Sequence, residues 1–219
     1  MTSTRQGYNH ELEALRQEIL DMGTRVEEAI GQAVMSLSKQ DLELAQKVMA
    51  GDDYIDFLES DIEDKCMLLI ARQQPLARDL RIIGTGLKIT TDLERVGDHA
   101  FDIAKIALGI GKQPLIKPLV DIPRMSAMAQ KMVKDSLVAY INLDITLAEQ
   151  VCADDDAVDD LYDQTFRELL TYMMEDPTTI KQATQLLFVA RYLERVADHA
   201  TNIGEWVIYL VTGQRMRKK

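Results

Sequence analysis

Aromatic residues make up only 5% of the 219-residue sequence, which also holds just 11 glycines, 5 prolines and 2 cysteines. Sheets draw on aromatic and β-branched residues and on frequent turns, so this scarcity argues for helices. Cys66 and Cys152 are too few and too far apart for a disulfide framework or a thiolate zinc site. Both fall in apolar helical patterns, and the expectation is two buried free thiols in a reducing cytosol. No run nears the roughly 18 apolar residues of a membrane-spanning helix; the stretch from Trp206 to Val211 is far shorter. The opening MTSTRQGYNHELEAL lacks the apolar centre of a secretory leader. Positive charge is scarce as well: the formal net charge of −11 excludes a nucleic-acid surface, which needs clustered Lys and Arg. The one basic cluster, Arg215 to Lys219, reads as a frayed, solvated end. Together these absences predict a soluble, cytoplasmic chain with no nucleic-acid partner and no transmembrane segment.

What is present is periodic. Hydrophobic residues make up 47% of the chain and charged ones 28%, a balance that suits a well-cored globular protein. From Leu12 the apolar positions run Leu12, Leu15, Ile19, Met22, Val26, Ala29, Ala33 and Leu37. Alternating steps of three and four predict a long bundle helix with a narrow seam. Asp41 reads as the N-cap of a short helix reaching Met49, with Gly51 as its stop. A separate helix is then predicted from Asp53, carrying Ile55, Leu58, Ile62, Cys66 and Leu69, and closed by Pro75. Another long helix follows, with Leu80, Ile83, Leu87, Leu93, Val96, Ala100, Ile103 and Ala107 on one side.

The stretch 109–123, with Gly109, Gly111, Pro114, Pro118 and Pro123, breaks the pattern and is predicted to be a linker. Beyond it the same programme recurs: a helix from about Arg124 to Asn142, a short one from Asp144, one from Asp156, then Pro177 and a last helix to about Thr212. Asp41, Leu44, Ala45, Val48, Asp53, Asp56 and Leu58 reappear 103 residues later as Asp144, Leu147, Ala148, Val151, Asp156, Asp159 and Leu161. LERVGDHAFDI (93–103) reappears as LERVADHATNI (193–203), with eight of eleven positions identical. The fold class is therefore read as all-α: two tandem, duplicated three-helix bundles, residues 1–108 and 124–219, joined by the linker.

The repeated segment carries acid. On a helix Glu94 and Asp98 share a face, Asp102 extends the stripe by a turn, and the second copy reads Glu194, Asp198 and Asn202. Leu93, Val96, Ala100 and Ile103 form the adjacent seam, so the acids lie at the edge of the core. Carboxylates crowded there need a counter-charge or a cation. Arg95, three residues before Asp98, offers a surface ion-pair explanation for one copy; recurrence of the whole segment favours a metal. Asp53 with Asp56, and Asp156 with Asp159, are further candidates where the preceding helix begins, although Asp there also serves as a cap. An all-oxygen donor set favours magnesium, manganese, calcium or ferric iron over zinc or copper. Iron, manganese and magnesium head that expectation. His99 and His199, about 100° around the helix from the aspartates, are read as polar surface or supporting residues.

A di-iron carboxylate enzyme needs Glu-x-x-His. The third residue after Glu94 is Gly97 and after Glu194 is Ala197, so that signature is missing. No glycine-rich phosphate loop or activated nucleophile stands out either, and no catalysis is expected.

LERVGDHA and YLERVADHA, together with ARQQPLARDLR (71–81) and TYMMEDPTTI (171–180), resemble the PhoU family of bacterial phosphate-uptake regulators over nearly the whole chain. The resemblance implies two pseudo-twofold-related three-helix bundles. It implies a cytoplasmic negative regulator of phosphate uptake and the phosphate-starvation response. Such a regulator acts between a phosphate ABC transporter, through its ATPase subunit, and a sensor histidine kinase. It further implies frequent dimers and metal held by Glu94 with Asp98 and by Glu194 with Asp198. The metal's identity does not carry over, and the histidines are not fixed ligands. The alternatives are a bundle protein that stores or oxidises iron and a helical interaction protein whose acids are only solvated. No spare hydrophobic face for oligomerisation is evident in the seams.

Overall fold

The structure, a computed structural model, describes residues 2–215, with side chains from Gly7 onward. Among these residues there are helices and no strands: α1 (Thr2–Lys39), α2 (Leu42–Gln73), α3 (Arg78–Ile110), α4 (Asp121–Asn142), α5 (Ile145–Glu175), a 3₁₀ turn (Pro177–Thr179) and α6 (Ile180–Thr212). The all-α reading holds. Residues 216–219 of the basic tail lie outside the described residues, while Arg215 rests over the Trp206 ring, 5.0 Å from its centroid.

α1 buries the predicted seam, with Ile30 in place of Ala29. Each well-buried Leu, Ile or Val contributes about 1.5–3 kcal/mol relative to exposure, which is what makes helices this long stable in water. α1, α2 and α3 pack on one another, as do α4, α5 and α6. The halves then join through α3 on α6 and α1 on α4, so one hydrophobic core runs through both.

Two expected breaks are absent. α2 runs straight through Gly51, and α5 runs from Ile145 through Asp156, so the short helices predicted after Asp41 and Asp144 are the first turns of long ones. A mid-helix glycine costs about 1 kcal/mol relative to alanine. Burial of Ala45, Val48, Ile55 and Ile62 along one stripe of α2 outweighs it. The capping itself is as predicted. The Asp41 carboxylate accepts from the Leu44 N–H at 3.0 Å and that of Asp144 from the Leu147 N–H at 3.1 Å.

The linker is also shorter than 109–123, because α3 continues to Ile110 and α4 starts at Asp121. Pro123 sits in the first turn of α4, where no N–H is required. The connecting segment is held down from both halves. The Gln40 amide donates to the carbonyls of Gly111 (3.0 Å) and Gln113 (2.6 Å). The Gln182 side chain accepts from the Ile116 N–H at 2.6 Å and donates to the Pro114 carbonyl at 3.1 Å. Lys117, also buried, pairs with Glu168 and Asp121.

Cys66 is buried and Cys152 half-buried, both as free thiols. Burial pushes their pKa values up, to about 12 and about 11. Contrary to the seam-based expectation, apolar surface is left over. Phe166, Leu170 and Met174 fall at four-residue spacing on one face of α5, and Leu76 is 82% exposed at the α2–α3 corner.

Candidate metal centres on the repeated helices

Continuity of α2 decides which acids meet. With the helix unbroken at Gly51, Asp52 and Asp56 are four apart and share a face, while Asp53 points about 100° away and is exposed. Asp52, Asp56 and Asp98 bring carboxylate oxygens within 4.8 Å of one another. Gly97 permits this approach: a Cβ there would lie 3.1 Å from the Ile55 side chain and 3.7 Å from Asp52 Oδ1. Burial, then Asp56 and Asp98, raise the Asp52 carboxyl to about 6.

Glu94 lies one turn before Asp98. Arg95 Nη1 donates to Asp98 Oδ2 at 3.0 Å, and Arg95 Nε approaches Glu94 Oε2 at 3.3 Å without forming a hydrogen bond. That buried oxygen thus has no hydrogen-bonding partner among the described residues. Burial first, and then Asp98, raise the Glu94 carboxyl to about 7 against the pull of Arg95. The surface ion-pair network anticipated from Arg95 exists, yet the buried Glu94 Oε2 is left without a hydrogen bond. An orphaned buried acceptor costs about 1–3 kcal/mol, more when charged.

The second half places Asp155, Asp159, Glu194 and Asp198 at the matching positions, close enough to act on one another's charge. Among the described residues, however, no three of their oxygens close to the 4.8 Å of the first trio. Burial, then Asp159 and Asp198, push Asp155 up to about 6. Burial, then Asp198, push Glu194 up to about 7. Glu194 Oε2 is again buried without a hydrogen bond, while the Thr201 hydroxyl beside Asp155 works against the rise of its carboxyl. The counter-charge differs: Arg191, which stands where the first half has Thr91, donates to Glu194 and lies 5.8 Å from the Tyr162 ring centroid. Asp156, like Asp53, is exposed. The carboxylates of the α2 and α5 faces are therefore Asp52 with Asp56 and Asp155 with Asp159. Sequence reasoning missed Asp52 and Asp155 by one residue. The Asp52–Asp56 spacing of four, identical to that of Glu94 and Asp98, was the signal available.

Between the halves α3 and α6 enclose a cleft of about 960 Å³, lined among others by Asp92, Arg95, Asp102, Arg195, His199 and Asn202. Asp102 and Asn202 line it together with Asp52, Asp98 and Asp198, so the cleft is continuous with the acid clusters. Asn202 Nδ2 donates to Asp92 Oδ1 at 3.3 Å, and His199 Nδ1 meets the same oxygen at 2.9 Å. His99 is only 8% exposed, stacked on Tyr192 at 5.4 Å between ring centroids. Burial, then His199 and the two arginines, lower its pKa to about 4, so it is neutral at physiological pH. The expectation that His99 is a surface residue is thereby corrected.

The PhoU domain matches the chain twice, over residues 19–107 and 122–207, once for each acid cluster. The chain belongs to the PhoU family. The gap between the two PhoU domain matches falls on the linker. The PhoU homologue of Aquifex aeolicus, a phosphate-specific transport system accessory protein, is 48% identical over 93% of this chain and 92% of its own. That of Clostridium acetobutylicum, which bears the same description, is 44% identical over 97% and 98%. The crystal structure of PhoU from Pseudomonas aeruginosa superposes with a TM-score of 0.91 at 41% identity, covering 94% of this chain and all of that one. The phosphate transport system regulatory protein PhoU of Streptococcus pneumoniae gives 0.89 at 31%, covering 96% and 100%. The PhoU-like fold expected from the motifs is thus the fold observed.

Proposed function

We propose that this protein regulates phosphate transport as a metal-bearing adaptor. It would restrain uptake and the phosphate-starvation response by contacting a phosphate ABC transporter's ATPase subunit and a sensor histidine kinase. The observation that carries the metal reading is the crowding of carboxylates beside both motif helices, closest at Asp52, Asp56 and Asp98, in which Glu94 and Glu194 each keep a buried oxygen without a hydrogen bond. All donors are oxygen, which suits magnesium, manganese or iron. A cation at each cluster would neutralise the acids and pin α2 to α3 and α5 to α6. The relatives' description as transport-system accessory proteins supports the pathway.

In this reading the protein binds and does not turn over, and it works in the cytoplasm. Among the described residues no helix is long and apolar enough to cross a membrane, so membrane association would come through partners. The stripe Phe166–Leu170–Met174 supports a helix-face contact with a partner or with a second copy in a homodimer.

Replacing Glu94, Asp98, Glu194 and Asp198 by Ala should strip metal from protein purified without chelators, as read by elemental analysis. It should also leave a phosphate-starvation reporter unrepressed in cells lacking their own PhoU. Unchanged metal content removes these residues from the role. Oxygen uptake on adding ferrous iron would favour the iron-oxidising alternative instead.

A further inference from the structure

We propose that His99 and His199 form a second kind of metal site, at the seam between the halves, for a borderline divalent cation such as Zn²⁺. It differs from the oxygen-lined clusters in its donors, although Asp52, Asp98 and Asp198 border the same cleft. Two features of the cleft support it.

His199 is set up as ligating histidines commonly are. One ring nitrogen, Nδ1, is held by the Asp92 carboxylate at 2.9 Å, and Asn202 fixes that same carboxylate oxygen. The tautomer and ring orientation are then set and Nε2 is left to ligate. His99 is the second feature. It lines the same cleft, is 8% exposed, and neither of its ring nitrogens has a hydrogen-bonding partner among the described residues. Stacking on Tyr192 accommodates the ring faces and does nothing for the nitrogens.

The spacing fits a shared ion. The two ring centroids are 5.7 Å apart. Two imidazoles on one tetrahedral ion, each nitrogen about 2.0–2.1 Å from it, place their centroids roughly 5–6 Å apart. Among the described residues the histidines join no third ligand within the 4.8 Å that unites Asp52, Asp56 and Asp98. The remaining ligands would be water admitted from the His199 side, since both His99 ring nitrogens are closed off from solvent. Imidazole nitrogen selects Zn²⁺, Co²⁺ or Ni²⁺, where carboxylates select Mg²⁺ or Mn²⁺.

The test uses the full chain stripped of metal and titrated with Co²⁺ and Zn²⁺, read by Co²⁺ visible absorption and by zinc X-ray absorption. The chain has only three histidines, so a His10→Gln background leaves this pair as the sole source of imidazole ligation. One equivalent of metal with two imidazole ligands is expected. The affinity should fall at least 100-fold in His199→Gln and His99→Gln, and by 10–100-fold in Asp92→Asn, which touches no metal. Helical circular dichroism checks that each variant is folded, and the less deeply buried His199 serves should His99→Gln fail to fold. The variant with Glu94, Asp98, Glu194 and Asp198 changed to Ala should keep this equivalent even as it loses the oxygen-bound metal. Exclusively oxygen ligation of zinc, equal affinity in His199→Gln, or loss of the imidazole-bound ion from the four-acid variant would each overturn the site. Absence of metal from the acid clusters alone would count only against the reading under Proposed function.

Discussion

Changing Glu94 and Glu194 to Gln should make the metal-free protein more stable at pH 8 and unable to hold its cations. Each glutamate is raised from 4.5 to about 7 in the folded chain, mainly by burial and then by Asp98 or Asp198. Their side chains are only 14% and 10% exposed, so solvent screens them weakly. Moving from 4.5 to about 7 corresponds to about 3 kcal/mol per site at roughly 1.36 kcal/mol per pH unit. Relaxation and the shared charges within each cluster reduce the recoverable part to about 1–3 kcal/mol.

A raised folded pKa means that the native state holds the proton longer than the unfolded one. The penalty is therefore absent below about pH 4.5, grows between 4.5 and 7, and is complete above. Urea unfolding in EDTA should show the Gln variants gaining about 1–3 kcal/mol over the parent at pH 8 and little at pH 5. In thermal terms that is roughly 2–12 °C for a chain of this size. Saturating Mn²⁺ or Mg²⁺ at pH 8 should reverse the order, since an ion at 100 times its Kd adds about 2.7 kcal/mol to the parent only. A gain equal at pH 5 and pH 8, or a metal response surviving both substitutions, would refute the electrostatic reasoning.

Three other perturbations follow from the packing. Gly97→Val should lower thermal stability by about 1–3 kcal/mol by overpacking against Ile55, and should weaken Mn²⁺ binding at the first cluster by spreading α2 from α3. Calorimetry of unfolding and of titration reads both. Asp41→Ala and Asp144→Ala should each cost about 1 kcal/mol in urea unfolding, and their double variant the sum, since the caps are made separately in the two halves. Gln182→Ala should remove two hydrogen bonds to the linker, cost about 1–3 kcal/mol, and speed proteolytic nicking between residues 111 and 120.

The helices and the Glu94–Asp98 stripe were legible because periodicity and repetition act along one chain. Leu93, Val96 and Ala100 define a face from the sequence alone, and the acids fall at its edge. The partner acids were less legible because their identity hangs on one backbone question, whether the helix survives Gly51. Treating Gly51 as a stop made Asp53 a helix-start residue; a continuous helix turns it outward and Asp52 inward. Glycine's weak penalty was outvoted by burial on either side, which no local rule weighs. The cleft was not legible at all. Asp92 meets His199 and Asn202 only because α3 crosses α6, and its counterpart in the second half is Tyr192, so repetition gave no hint. The burial of His99 likewise depends on Tyr192 arriving from the other half.

α3 and α6 each form a wall of one acid cluster and a wall of the cleft between the halves. A helix is too stiff to yield at one turn and stay still at the next. Any cation that draws Asp98 toward Asp52 therefore tugs the rod that seats Asp92 against His199. Occupancy beside one motif helix would then be felt as a displacement in the cleft that the two helices share.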